Sequence, residues 1–182
     1  GKPFRFLDFK EGAGRVFSGE TPDEGDQRTD EQLESHRYAV TVLRRIVDEA
    51  FAHVASSITA GRDITEYGLQ QFILARIREA GMTTASAPIA AVNEHSADPH
   101  YGPSASSSAP IRRDDLLLID LWAKRTEPGA VYGDITWTGY TGAQVPSRPR
   151  TVFEHVRRGR DAALAFVRER VASGVFPFGW EV

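Results

Sequence analysis

The stretch Leu116-Leu117-Leu118-Ile119-Asp120 is the part of the sequence that decides the fold. Four consecutive apolar residues predict a strand that is buried on both faces of a sheet. A second strand is predicted over residues 131–137, because threonine and aromatic residues favour the extended conformation. The connection over residues 126–130 contains Pro-Gly, which is typical of a turn, so we expect the two strands to be neighbours in a hairpin.

Two carboxylates in this hairpin are candidates for a metal site. Asp120 directly follows the apolar run, and Asp134 lies inside the second strand, in Tyr132-Gly133-Asp134-Ile135-Thr136. Neighbouring carboxylates repel each other, and burying them is costly unless a cation holds them. Their oxygen atoms suit divalent cations such as Mn, Mg, Fe, Co or Zn. The residues alone leave another interpretation open, in which each carboxylate caps a turn or pairs with a nearby cation: Arg112, Arg113 or Lys124.

Two helices are predicted before the strands. Thr29 and Gln32 form the pattern of a capping box, which begins a long core-facing helix that ends before Gly61. A second helix is predicted to start at Asp63, with Glu66 as the partner in its capping box. The link between them is short, so we expect the two helices to be antiparallel neighbours.

The order of the remaining elements predicts the fold class. Residues 87–92 are typical of a strand, residues 102–110 of a surface loop, and apolar residues at helical spacing over residues 153–171 predict a last helix that stops at Gly174. The order is helix, helix, strand, strand, strand, helix. Short connections between successive strands favour a mostly antiparallel sheet with helices on one face, an α+β fold.

Composition excludes several classes of function. The chain has 182 residues with 22 basic and 25 acidic side chains, so its charge predicts no nucleic-acid partner. It has no cysteine, which excludes disulfide scaffolds and thiolate metal sites. No apolar run is long enough to span a membrane, and we expect a cytoplasmic protein. Residues 1–28 are expected to form an arm or linker, with a short strand around Phe4, Phe6 and Phe9, ahead of one domain over residues 29–182.

Three segments carry a family resemblance. Residues 93–101 include Pro99-His100-Tyr101, residues 111–120 end in the first aspartate, and residues 132–136 contain the second. In this order they resemble the metallopeptidase family of aminopeptidase P, prolidase, methionine aminopeptidase and creatinase, which has the pita-bread fold. The resemblance extends over roughly residues 29–182 and implies the first half of that fold.

The resemblance also implies a chemistry. It assigns Asp120 as a ligand of one metal ion, Asp134 as a bridge between two, and His100 as the residue that contacts substrate. It implies a peptidase of the Xaa-Pro aminopeptidase or dipeptidase type, acting on short peptides with two divalent metal ions, Mn first and Co, Zn or Fe as alternatives. The same fold also supports metal-free creatinase-like C–N hydrolases and non-catalytic binding proteins.

The family's remaining ligands, one histidine and two glutamates, come from the second half of its fold. We therefore expect these 182 residues to be inactive alone. We also expect the apolar segment around Phe176, Phe178 and Trp180 to associate with a second copy of the chain or with that second half.

Some features of the site stay open at the level of sequence. His100, like the weaker candidate His95, is also compatible with an ordinary surface-loop histidine. Trp122 and Trp137 stand where many family members have glycine and arginine, respectively, and both are expected to reshape the site.

Overall fold

The computed structural model describes residues 29–182 and the backbone of Arg5–Phe6. These residues fall into two compact units, one that extends to Gln144 and one that covers residues 145–182. Each unit is described by itself below. The rest of the arm predicted over residues 1–28 lies outside the described residues.

The first helix, α1, spans Asp30–Thr59. The Thr29 side chain accepts a hydrogen bond from the Gln32 amide, and the Gln32 side chain accepts one from the Thr29 amide. The capping box and the stop before Gly61 are therefore confirmed. One side of the helix, including Leu43, is fully buried and forms a large part of the core.

The second helix, α2, spans Glu66–Glu79 and begins later than its sequence predicts. Its N-cap is Thr65, whose side chain accepts from the Gly68 amide at 3.0 Å. The preceding residues stay extended because the Ile111 amide donates to the Ile64 carbonyl at 2.8 Å. The predicted capping box of Asp63 and Glu66 is wrong, and Glu66 is instead completely buried.

In the described part of the chain, a five-stranded antiparallel sheet packs against α1 and α2. In chain order its strands are β1 (Arg5–Phe6), β2 (Met82–Thr83), β3 (Ile89–Val92), β4 (Leu116–Arg125) and β5 (Gly133–Tyr140). Strand β4 is central, with β5 on one side and both β3 and β2 on the other, and β1 pairs with β5. The α+β class and the hairpin of β4 and β5 are confirmed. The predicted N-terminal strand is present at Phe6, whereas Phe4 and Phe9 lie outside the described residues.

The two faces of β4 have different environments. The side chains of Leu117 and Ile119 are fully buried toward the helices, whereas Leu116 and Leu118 are only half-buried on the opposite face. The prediction that this strand is buried on both faces is wrong, because the helices of this unit cover one face of the sheet. The opposite face of the sheet carries the two aspartates.

The second unit contains α3, which spans Ser147–Ala172 and confirms the predicted last helix. Gly174, with φ +76°, follows its C-terminal end. The chain then forms a short turn, Gly179–Glu181, that is joined to α3 by a contact of 3.4 Å between Arg170 and Glu181. Within the described part of the chain, no helix is both long and apolar enough to cross a membrane.

Candidate active site

The register of the β4–β5 hairpin brings Asp120 and Asp134 to one face of the sheet. Asp120 lies opposite Thr136, and Asp134 lies opposite Trp122. Residues directly opposite each other share a face, as do residues two apart on one strand. Both carboxylates therefore project from the face away from α1 and α2, in diagonal positions whose Cβ atoms are typically about 7 Å apart.

The electrostatics of the pair agree with this closeness. Partial loss of solvent raises the pKa of Asp134 above its ordinary value, and the negative charge of Asp120 raises it further. The Thr136 hydroxyl donates to Asp120 Oδ1 at 2.6 Å, which orients that carboxylate. The two side chains thus form a pair of acceptors whose charges repel.

The cations of residues 29–182 do not neutralise the pair. Within residues 29–182, neither Asp120 nor Asp134 forms an ion pair with an arginine or lysine. The Lys124 ammonium instead lies over the Tyr132 ring, at 5.4 Å from its centroid. The interpretation of these aspartates as partners of Lys124 or of the arginines is therefore not supported.

This donor set fits a divalent metal in part. Two carboxylates that have no cationic partner in the described part of the chain suit a hard or borderline ion. No cluster of three or more His, Cys, Asp or Glu side chains that would hold a metal exists among the described residues. The described residues therefore offer two candidate ligands, fewer than a complete coordination shell needs.

Two contacts between α1 and the start of β5 determine where Asp134 lies. His36 Nδ1 donates to the Tyr132 carbonyl at 2.7 Å, and the Val131 amide donates to the Ser35 hydroxyl at 3.2 Å. They lie just before Gly133, where a Cβ atom would come within 2.8 Å of the Val40 backbone nitrogen. The helix thus packs directly on the strand backbone next to the candidate ligand.

The two tryptophans lie on opposite faces. Trp122 shares the face of Asp134 and stands directly across from it, as expected for a residue that shapes the site. Trp137 lies opposite Ile119 and packs against the core, with the Arg44 guanidinium 5.2 Å from its ring centroid. The expectation that Trp137 shapes the site is therefore wrong: Trp137 lies three positions after Asp134, and successive side chains of a strand point to opposite faces.

His100 stands in the exposed loop that follows β3 and the short 3-10 helix over Asn93–Ala97. Its backbone amide donates to Asp98 Oδ1 at 2.9 Å, and its imidazole hydrogen bonds neither aspartate of the hairpin. The structure thus brings Asp120 and Asp134 together and leaves His100 on a separate loop.

A buried cluster beside that loop was missed by the sequence analysis. Glu66 has no solvent exposure, and both of its oxygens accept two hydrogen bonds. Oε1 accepts from the Val92 amide at 2.7 Å and from His95 Nδ1 at 2.9 Å. Oε2 accepts from the Tyr101 hydroxyl at 2.5 Å and from the Ala109 amide at 2.7 Å.

The sequence does contain a signal for this cluster. Glu66 lies three, seven and eleven positions before Leu69, Ile73 and Ile77, which form the buried stripe of α2. Extending that periodicity by one turn places the carboxylate on the buried face. A buried carboxylate needs several donors, which predicts hydrogen-bonding partners around it.

Comparison with known proteins is consistent with this geometry. The sequence profile of metallopeptidase family M24 matches residues 35–175. No curated protein matches the chain. The fold is similar to the crystal structure of X-prolyl aminopeptidase from Caenorhabditis elegans, described as a cytosolic enzyme with a di-nuclear active site.

That likeness has a TM-score of 0.57 at 22% identity, and it covers 66% of this chain and 20% of the enzyme. At this identity it shows the fold alone, and the chain spans about a fifth of that enzyme's length. The family profile covers well over half of the chain. The chain therefore belongs to metallopeptidase family M24, and its α+β fold is part of the pita-bread fold of that family.

Proposed function

We propose that this chain forms part of a metal-dependent peptidase that removes residues from the N-terminal end of short peptides, with preference for an Xaa-Pro bond. The observation that carries the proposal is the pair of carboxylates, Asp120 and Asp134, on one face of the hairpin without a cationic partner among residues 29–182. Membership of family M24 supports the class of reaction. The similar fold of an X-prolyl aminopeptidase supports the branch.

In this proposal Asp120 holds one divalent metal ion and Asp134 bridges two, with Mn as the first choice and Co, Zn or Fe as alternatives. Such a pair of ions supplies a water of lowered pKa for attack on the peptide bond. Thr136 keeps the Asp120 carboxylate oriented through its hydrogen bond. Trp122, beside Asp134, limits the space at one side of the site.

His100 is proposed to hydrogen bond the substrate near the bond that is cleaved. Its exposed imidazole, with no hydrogen bond to the metal-binding pair, is available for a ligand. A donor at that point orients the substrate and stabilises the charge that develops on the carbonyl oxygen. The role requires the loop to hold His100 in one position.

The remaining metal ligands are proposed to come from the second half of the family's fold. Two carboxylates on one hairpin leave most coordination positions to water, so these 182 residues alone bind a cation weakly and are inactive. Phe176, Phe178 and Trp180 are at least half exposed and are proposed to contact the second half of the fold or another copy. We place the protein in the cytoplasm.

The test is peptide hydrolysis by the full-length protein that contains this chain, loaded with Mn²⁺. Asp134→Asn should abolish turnover of an Xaa-Pro peptide, and His100→Ala should lower it by less, because a bridging ligand fixes both ions while the histidine only orients substrate. Glu127→Gln, in the exposed loop of the same hairpin, is the matched control and should be fully active. Full activity of Asp134→Asn would refute the metal role.

A further inference from the structure

The buried Glu66 cluster lies beside the loop that carries His100. We propose that Glu66 is a positioning residue, which holds His100 in place by binding both ends of the segment around it. The catalytic consequence of this role rests on the proposed function, whereas the positioning itself does not.

The contacts of Glu66 divide between its two oxygens. Oε1 binds the Val92 amide, at the end of β3, and His95, in the 3-10 helix that follows. Oε2 accepts from the Tyr101 hydroxyl and from the Ala109 amide. Tyr101 and Ala109 stand at the two ends of the loop that follows His100. One side chain thus joins four points of the segment between β3 and β4, in which His100 stands.

The link to His100 itself runs through its neighbour Tyr101. The Tyr101 hydroxyl is bonded to Glu66, and its ring stacks on the His95 imidazole with 4.3 Å between centroids. The Tyr101 amide donates to the Asp98 carbonyl at 3.1 Å, and the His100 amide donates to the Asp98 side chain. The backbone on both sides of the His100 side chain is therefore held, while the imidazole remains exposed.

The chemistry requires a carboxylate at this position. Burial raises the pKa of Glu66, but the hydrogen bonds from Tyr101, Val92, Ala109 and His95 outweigh it and hold the pKa below its ordinary value. The side chain is therefore an anion that only accepts. It follows that His95 Nδ1 carries a proton and that Tyr101 donates, since an ionised carboxylate has no proton to give.

Glutamine has nearly the same shape as glutamate, but it cannot accept all four of the hydrogen bonds that Glu66 accepts. Its amide NH₂ must replace either Oε1 or Oε2, and each of these oxygens binds one backbone N–H, of Val92 or Ala109. The Tyr101 hydroxyl can rotate and the His95 imidazole can change tautomer, but a backbone N–H cannot become an acceptor. In Glu66→Gln the side-chain NH₂ therefore faces the backbone N–H of either Val92 or Ala109, and two donors meet without an acceptor.

The first measurement does not depend on activity. Amide hydrogen exchange is compared in the full-length protein for Glu66→Gln and for Glu79→Gln, an exposed glutamate at the other end of α2. We expect exchange to rise by at least about tenfold over residues 92–109 in Glu66→Gln only. Unchanged exchange there would overturn the proposal, even if the wild-type protein proved not to be a peptidase.

The second measurement separates positioning from mere stability. Glu66→Gln and Tyr101→Phe, which removes only one of the four donors, should each lower kcat by about tenfold with little change in KM, because they misplace an orienting group. Combined with His100→Ala, either change should cause no further loss. Losses that multiply with that of His100→Ala would show that Glu66 acts through the fold in general, and the proposal would be wrong.

Discussion

Replacing Gly133 with alanine would place a methyl group against helix α1. The new Cβ would lie 2.8 Å from the Val40 nitrogen, closer than real Cβ atoms come to other atoms, and 3.0 Å from the Ala39 carbonyl carbon, which is also very tight. Both obstructing atoms belong to the helix backbone, so no side chain can rotate away. Either α1 or the start of β5 must move.

The cost is set by this overpacking. Inserting a methyl group into a well-packed contact costs about 1–3 kcal/mol, and backbone obstruction favours the middle or upper part of that range. We expect Gly133→Ala to lower the free energy of unfolding by ~2 kcal/mol and the melting temperature by about 4–8 °C. Because Asp134 is the next residue, the same shift should weaken Mn²⁺ binding in the full-length protein.

Thermal unfolding followed by circular dichroism measures the loss of stability, and calorimetric titration with Mn²⁺ measures the change in metal affinity. Gly159→Ala is the control, since a Cβ there meets no atom within 4 Å and the residue lies inside α3. That change should leave Mn²⁺ affinity unchanged and stabilise the protein by about 0.5–1 kcal/mol. A Gly133→Ala protein as stable as wild type would refute the close packing of α1 on β5.

Three further predictions concern the ionisation of Asp134, the ionisation of Glu66 and the activity of residues 1–182 alone. The pKa of Asp134 is raised in the fold, so its ionisation costs stability as the pH rises through and above the ordinary aspartate pKa. Metal-free Asp134→Asn should therefore resist urea better than wild type at pH 7, and the two should become equal in acid. The pKa of Glu66 is lowered, so its hydrogen bonds stabilise the fold above the ordinary glutamate pKa, and this contribution is lost as the pH falls through the lowered value. A urea titration at several pH values should show this acid-dependent loss in wild type and not in Glu66→Gln. Residues 1–182 alone should bind Mn²⁺ only weakly and fail to hydrolyse an Xaa-Pro peptide, and steady turnover would contradict the need for outside ligands.

Local signals in the sequence were sufficient for several elements. The capping box at Thr29 and Gln32 depends on residues three apart and appears as predicted. The hairpin that aligns Asp120 with Asp134 follows from two strand patterns and one turn. The residues that form each of these features are close together in the sequence, so a short sequence pattern is enough to predict them.

Other features depend on partners that are distant in sequence. Four apolar residues before Asp120 do not reveal which face of a sheet is covered, so the strand was predicted to be buried on both sides. Glu66 near a helix start resembles a cap, and although the helical stripe places it on the buried face, its donors lie far along the chain, as with Tyr101 35 positions later. Helix α2 starts at Glu66 and not at the predicted Asp63, because the pairing of Ile64 with Ile111 keeps the preceding segment extended.

The central claim is that Asp120 and Asp134 are ligands of a two-metal site, and metal content tests it most directly. The full-length protein is loaded with Mn²⁺, freed of excess metal, and its bound ions are counted by mass spectrometry alongside Asp120→Asn, Asp134→Asn and the Glu127→Gln control. We predict two ions per chain in wild type and control, and a loss in both aspartate variants that is larger for Asp134→Asn, the bridging position. Equal metal content in all four proteins, or none in wild type, would contradict the account and favour a metal-free hydrolase or a binding protein on the same fold.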